Sequence, residues 1–156
     1  MTTYIVAPQS YLPAPGGPAA VFLAGGISGC ADWQAEAAAA LLAAGLVVIN
    51  PRRPEGLAVD DPERAPAQIA WEHHHLHQQG VFTLFWFPGS GSVQPIALFE
   101  LGVALGEGRP LAVGVDPGYL RRLDVHEQLR HARPGLVVHP TLAEVVAQVI
   151  AEARPA

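Results

Sequence analysis

The apolar positions of the chain fall into short runs separated by polar or Gly/Pro-rich stretches. The strongest is Val81–Phe87 (VFTLFWF), broken only by Thr83 and stopped by Pro88-Gly89. A run this short and this rich in aromatics has the pattern of a strand buried on both faces. Ala19–Ala24 (AAVFLA), Leu46–Asn50 (LVVIN), Leu111–Val115 (LAVGV) and Leu136–His139 share that character. Helical segments stand between them. Asp32 predicts an N-cap for a helix through Ala44, with Gly45 as its C′ glycine. Ala67–Gln79 predicts a helix stopped at Gly80, and Pro95–Leu105 and Tyr119–Ala132 predict two more. In the last, Thr141 and Glu144 form a capping box, and Leu142, Val145, Val146, Val149 and Ile150 follow at helical spacing.

Short apolar strands alternating with helices imply an α/β fold. The expected form is a three-layer, flavodoxin-like sandwich: a five-stranded parallel sheet with helices on both faces. Residues 19–153 read as one α/β domain. Residues 1–18 read as an N-terminal strand or arm (Thr3–Ala7) followed by a Pro/Gly-rich loop. In such sheets a ligand sits beyond the carboxyl ends of the strands, near the point where strand order reverses. Those ends are Gly25–Gly29, Asn50–Pro54 and Pro88–Gln94, and the acidic, Pro-containing loop Pro54–Pro66 is expected over a cleft.

Composition narrows the function classes. With 156 residues, half of them apolar, the chain has the size of one domain with a sizeable core. The net charge of −5 argues against a nucleic-acid partner, which needs a basic patch. No apolar run reaches the length of a membrane span and the start lacks a basic leader, so a cytoplasmic setting without membrane contact is expected. All nine basic residues are Arg. The absence of Lys excludes a Walker-type phosphate loop, a Schiff base and a lysine general base. A single cysteine, Cys30, excludes internal disulfides and thiolate-rich zinc sites.

Candidate chemistry starts at Glu100, the one charge on the apolar segment Pro95–Leu105. Its helical neighbours are Ile96, Ala97, Val103 and Ala104, none of which is a polar partner. A carboxylate in such surroundings costs several kcal/mol, roughly, unless something compensates. Gly25-Gly26-Ile27-Ser28-Gly29 follows a strand and precedes a helix, the context for holding a phosphate or sugar by backbone amides, or simply for a tight turn. Ser90 and Ser92 begin the Glu100 helix, where a hydroxyl can cap the helix or meet a ligand. Arg52 and Arg53 follow a strand end, suited to a phosphate, a base edge or a surface ion pair. Trp33 adjoins the glycine loop as a pocket-lining candidate. His73, His74, His75 and His77 read as an exposed polar helix surface, and no metal or cofactor is expected.

Taken together, FLAGGISGCADW, NPRRP, QIAWE, FTLFWFP and QPIALFELGVALG resemble the nucleoside 2-deoxyribosyltransferase-like family. The resemblance runs from about Val21 to Val115. It implies that Glu100, on the ELG-x-A helix, is a catalytic nucleophile and that Gly25, Gly26 and Ser28 line the sugar and base pocket. Family members commonly carry an Asp or Ser six residues before the nucleophile. Here that residue is Gln94, with Ser92 two positions earlier, and both become expected substrate contacts beside Trp33 and Arg52. The positioning acid on the preceding helix maps to Glu72. The resemblance also implies a homo-oligomer.

The expected function is cleavage of an N-glycosidic bond through a covalent glycosyl-Glu intermediate, followed by transfer of the (deoxy)ribosyl group to another nucleobase. The partners are then a nucleoside or nucleotide and a free base. One alternative is hydrolysis of a nucleoside or its 5′-monophosphate on the same scaffold. Another is a non-catalytic nucleotide-binding module.

Overall fold

The computed structural model describes residues 3–56, 58 and 60–155. Six strands run parallel: β1 (Tyr4–Val6), β2 (Ala20–Gly25), β3 (Val47–Asn50), β4 (Val81–Phe87), β5 (Leu111–Val115) and β6 (Val138–His139). Five helices connect or follow them: α1 (Trp33–Ala43), α2 (Ala65–Leu76), α3 (Pro95–Gly106), α4 (Arg122–Ala132) and α5 (Leu142–Glu152). The spatial order is β1-β3-β2-β4-β5-β6. From β2 the chain steps one way to β3 and then crosses back to β4, so strand order reverses between β2 and β4, the flavodoxin-like switch point.

The alternating side chains of each strand feed two cores. On one face Phe22, Ile49, Phe85, Phe87 and Val113 meet Trp71, Leu76, Ala97, Leu101, Ala104 and Leu129 from α2, α3 and α4. On the other, Val21, Leu23, Val48, Leu84 and Trp86 meet Trp33, Leu41, Val145 and Val149 from α1 and α5. Each large side chain taken out of water in this way contributes roughly 1.5–3 kcal/mol. Every residue of β4 is buried, as a strand sandwiched between two helical layers requires. α1 packs directly on α5, whereas α2 and α3 approach each other only weakly.

The sheet has six strands rather than five because the N-terminal arm joins it. Ile5 is buried and pairs with Ile49, and Asn50 Nδ2 donates to Tyr4 Oη at 2.8 Å. After β1 the chain straps along α2. Trp71 Nε1 donates to Gln9 O (2.8 Å), Tyr11 N–H to His75 Nε2 (3.1 Å) and Gln78 Nε2 to Tyr11 O (2.9 Å). His75 is therefore no part of an exposed histidine face: it is fully buried beneath the strap, and burial holds its pKa below the ordinary histidine value.

Other boundaries shift for local reasons. α4 starts at Arg122, not Tyr119, because Asp116 closes a turn by accepting from Gly118 N–H at 2.7 Å. Tyr119 instead packs inward, its ring 5.2 Å from that of Phe87. α2 begins at Ala65 after Asp61 accepts the N–H groups of Glu63 and Arg64, and it ends at Leu76. In the loop before it, the segment expected over a cleft, Leu57 and Val59 lie outside the described residues. No helix among the described residues is long and apolar enough to cross a membrane.

Candidate active site

Two loops meet at the switch point, Gly26–Asp32 after β2 and Pro88–Gln94 after β4. Their contact depends on glycines. Gly25 has φ +153°, and a Cβ there would collide with Trp86 O and lie 2.8 Å from Trp33 Cζ2. The Gly26 carbonyl accepts the indole N–H of Trp33 at 2.8 Å and Gln34 Nε2 at 3.3 Å. Trp33 is thus buried, with its one polar atom holding the loop from below.

Gln94 is the N-cap of α3 and sits in the left-handed region at φ 54°. Its Nε2 donates to Pro88 O at 3.0 Å, which fixes the amide orientation, since a carbonyl can only accept. Oε1 is turned toward Gly26, buried and without a hydrogen-bond partner among the described residues. The serines serve the same loop: Ser90 Oγ accepts Ser92 N–H (3.1 Å), and Ser92 Oγ accepts Gln94 N–H (3.2 Å). Cys30 Sγ lies 3.4 Å from Ser90 Oγ, bridging the two loops, while Ser28 is exposed at the tip of the first. Tyr119 Oη donates to Val93 O at 2.6 Å and anchors the second loop from the β5 side.

Arg52 is occupied inside the scaffold. Nη1 donates to Ala31 O and Gln34 Oε1, Nη2 to Cys30 O, each at 3.1 Å, and Nε lies 3.8 Å from the Asp32 carboxylate. It ties the strand end after β3 to the start of α1. Arg53 points elsewhere. Its Nε donates to Gln68 Oε1 at 2.6 Å, and Nη1 lies 3.6 Å from Glu55. Gln68 Nε2 then donates to both Pro51 O (3.0 Å) and Glu72 Oε1 (2.8 Å).

Glu72 on α2 and Glu100 on α3 are both half-buried, on two helices that pack only weakly against each other. Burial, and after it the charge of Glu72, pushes the Glu100 carboxyl up to about 8. Glu100 accepts no hydrogen bond from the described residues. Burial also raises Glu72, but the Gln68 amide and the Arg53 charge oppose it. The two carboxyls therefore have unequal environments, the arrangement from which acid and base roles separate.

The structure brings Gly25, Gly26, Trp33, Ser92 and Gln94 together at the switch point, with Arg52 bracing the first loop and the two glutamates on the neighbouring helices. Gln34, Gln68 and Tyr119 support this arrangement and escaped the sequence reading of the site, while Arg53, read there as a phosphate, base or ion-pair candidate, meets Gln68 and Glu55. Only Gln68, four residues before Glu72 on one helix face, carried a signal. Among the described residues no group of three or more His, Cys, Asp or Glu side chains is placed to hold a metal ion. A concavity of about 710 Å³ lies at the opposite end of the sheet, lined by residues such as Gly80, Leu111, Arg133 and Arg154. Its arginines are engaged by main-chain carbonyls at helix ends, Arg133 with Arg109 O and Arg154 with Ala153 O, both at 3.0 Å.

The family described as nucleoside 2-deoxyribosyltransferase like has a sequence model that matches residues 18–119. The matched stretch spans β2 through β5 and includes both glutamates. No curated protein matches the chain.

Proposed function

The chain belongs to the nucleoside 2-deoxyribosyltransferase-like family, and from that premise we propose that it cleaves the N-glycosidic bond of a nucleoside and passes the sugar to another base. The observation that carries this reading is the glutamate pair: a half-buried Glu100 that accepts no hydrogen bond from the described residues, with Glu72 on the neighbouring helix, beside the switch point.

In the proposed first step, a Glu100 carboxylate oxygen attacks C1′ as the bond to the base breaks. The bonding electron pair leaves on the base nitrogen, which takes up a proton, and a glycosyl-Glu100 ester remains. In the second step the nitrogen of an incoming base attacks C1′, releases its proton and frees Glu100, with net retention. Glu72 is the proton-handling partner. Gly26, Ser28, Ser92 and Gln94 shape the sugar side of the site, with Gly25 and Trp33 setting the loop's position. Water in place of the second base would make the same site a hydrolase.

The engagement of Arg52 favours a neutral nucleoside over its 5′-monophosphate. Its guanidinium already meets three acceptors and a carboxylate, and the N–H groups of Ser92 and Gln94 are taken by serine hydroxyls. A phosphate would find few free donors beside two acidic side chains.

A homo-oligomer completes the proposal. On α3, Ile96 and Phe99 are 64% and 70% exposed, and on α2 Ile69 is 63% exposed. Exposed apolar side chains flanking a candidate site mark a surface for a second copy.

The test is incubation with a deoxynucleoside, with and without a second free base, followed by chromatography and repeated with Glu100→Ala. Base exchange supports transfer, and free sugar in both incubations supports hydrolysis. No product from any nucleoside or monophosphate leaves the binding-module reading. Full activity in Glu100→Ala removes the nucleophile assignment.

A further inference from the structure

Gln68 has no freedom in how its amide faces. Arg53 can only donate, so Gln68 Oε1 must meet Nε at 2.6 Å; Pro51 O can only accept, so Nε2 must face it at 3.0 Å. The second hydrogen of Nε2 is then aimed at Glu72 Oε1, 2.8 Å away. Gln68 is 7% exposed, so this bond is sheltered from competing water. Glu72 receives a fixed donor and, behind it, the Arg53 charge. Glu100 receives neither from the described residues. The charged groups acting on the pair are Arg53, from the β3–α2 loop, on Glu72 and Glu72 itself on Glu100. Glu55, the acidic neighbour of Arg53, is shared with Arg64 at 3.5 Å.

We propose that Gln68 and Arg53 are positioning residues that make Glu72 the ionised member of the pair and leave the pair's single proton on Glu100. The consequence rests on the glycosyl-transfer reading. The proton that stays on Glu100 in the resting site is the proton the leaving base needs. Glu72 takes it, freeing the Glu100 carboxylate to bond to C1′, and gives it to the base nitrogen that receives the C1′–N electron pair. One proton crosses from the pair to the base, one C–O bond forms and one C–N bond breaks, with no other reactant required.

The first test does not depend on turnover. Glutamate carboxyl carbons are labelled with ¹³C and titrated by NMR, with Glu72→Gln and Glu100→Gln assigning the two signals. In the native protein Glu72 is expected to titrate below Glu100. In Gln68→Leu the Glu72 midpoint should rise by about one pH unit, as for loss of a bond to a charged group. Arg53→Met should produce a smaller rise and carries the test if Gln68→Leu does not fold. An unmoved Glu72 midpoint in the variants, or Glu72 titrating above Glu100 in the native protein, overturns the proposal. The second test is the pH profile of kcat/KM, whose acid limb should climb with Glu72 in Gln68→Leu. A loss of equal size at every pH would mean a merely structural role and overturns the catalytic part. A native protein inert toward nucleosides would bring down the glycosyl-transfer reading, while the titration would still decide where the proton sits.

Discussion

The α-carbon of Gly26 lies against the side-chain amide of Gln94, so closely that a Cβ built there would stand 2.5 Å from Oε1 and 2.6 Å from Cys30 Sγ. Gln94 cannot swing away without releasing Pro88 O and the left-handed start of α3. The contact is therefore a fixed distance between the two loops at the switch point.

Gly26→Ala should force those loops apart. Overpacking of this kind costs about 1–3 kcal/mol, which lowers the melting temperature by several degrees in a domain of this size. Activity should fall further than the lost stability explains, because Glu100 rides on the helix that Gln94 begins. Calorimetry and kcat/KM on the same preparation check this. A variant matching the native protein in both would show that the loops tolerate a methyl and do not set the site.

The raised Glu100 carboxyl makes stability depend on pH in a defined direction. Between the ordinary value near 4.5 and about 8, the folded protein keeps a proton that the unfolded chain has released. Folded-state proton binding exceeds that of the unfolded state, so stability falls as pH rises through this window. It is flat with respect to this group below and above. Glu100→Gln has no such proton to lose. Its advantage over the native protein should be absent near pH 4 and grow to on the order of 2 kcal/mol by pH 8, allowing for partial solvent exposure. Denaturant unfolding at several pH values measures the gap, and a constant gap would contradict the raised carboxyl.

The sheet and its helices were legible because their signals are local and repeated: buried β-runs, a capping box, a C′ glycine. The Glu100 helix was legible for the opposite reason, one charge that its own neighbours could not explain. What escaped was side-chain pairing across the fold. Nothing near Arg52 in sequence indicates that Gln34 and the Ala31 and Cys30 carbonyls would occupy its guanidinium. His75 reads as one histidine among four, and only the N-terminal strap makes it a buried acceptor for Tyr11. Thr3–Ala7 reads as a strand or an arm, and nothing local says that it joins the sheet. It joins because β3 offers an open edge and Ile5 a core-facing side chain.

Arg52→Met gives a prediction that separates bracing from phosphate binding. If the guanidinium braces the first loop, its removal leaves three acceptors with one donor fewer each and should cost about 2 kcal/mol of stability. The relative kcat/KM for a deoxynucleoside and its 5′-monophosphate should stay within about twofold of the native ratio, since a bound phosphate would have been worth far more. A selective collapse of monophosphate turnover would instead assign Arg52 to the substrate.

The exposed face of α3 yields the last prediction. Ile96 and Phe99 are three residues apart, so they share one side of the helix, and half-buried Val103 continues the stripe four residues on. Glu100, the helical neighbour of Ile96 and Val103, is the one charge on this side of the helix, so a second copy seated on the stripe would lie against the candidate site. Phe99→Asp would bring a carboxylate onto each copy, at a desolvation cost of several kcal/mol unless it is paired. Light scattering should show the native protein as an oligomer and Phe99→Asp as a monomer at the same concentration, with melting unchanged under conditions where the native protein is also dissociated. Because Glu100 is the next residue, the monomer should also lose activity, and raising protein concentration should restore part of it. A native protein that is monomeric at all concentrations would remove the interface, and a dissociated variant with full activity would show that each site works alone.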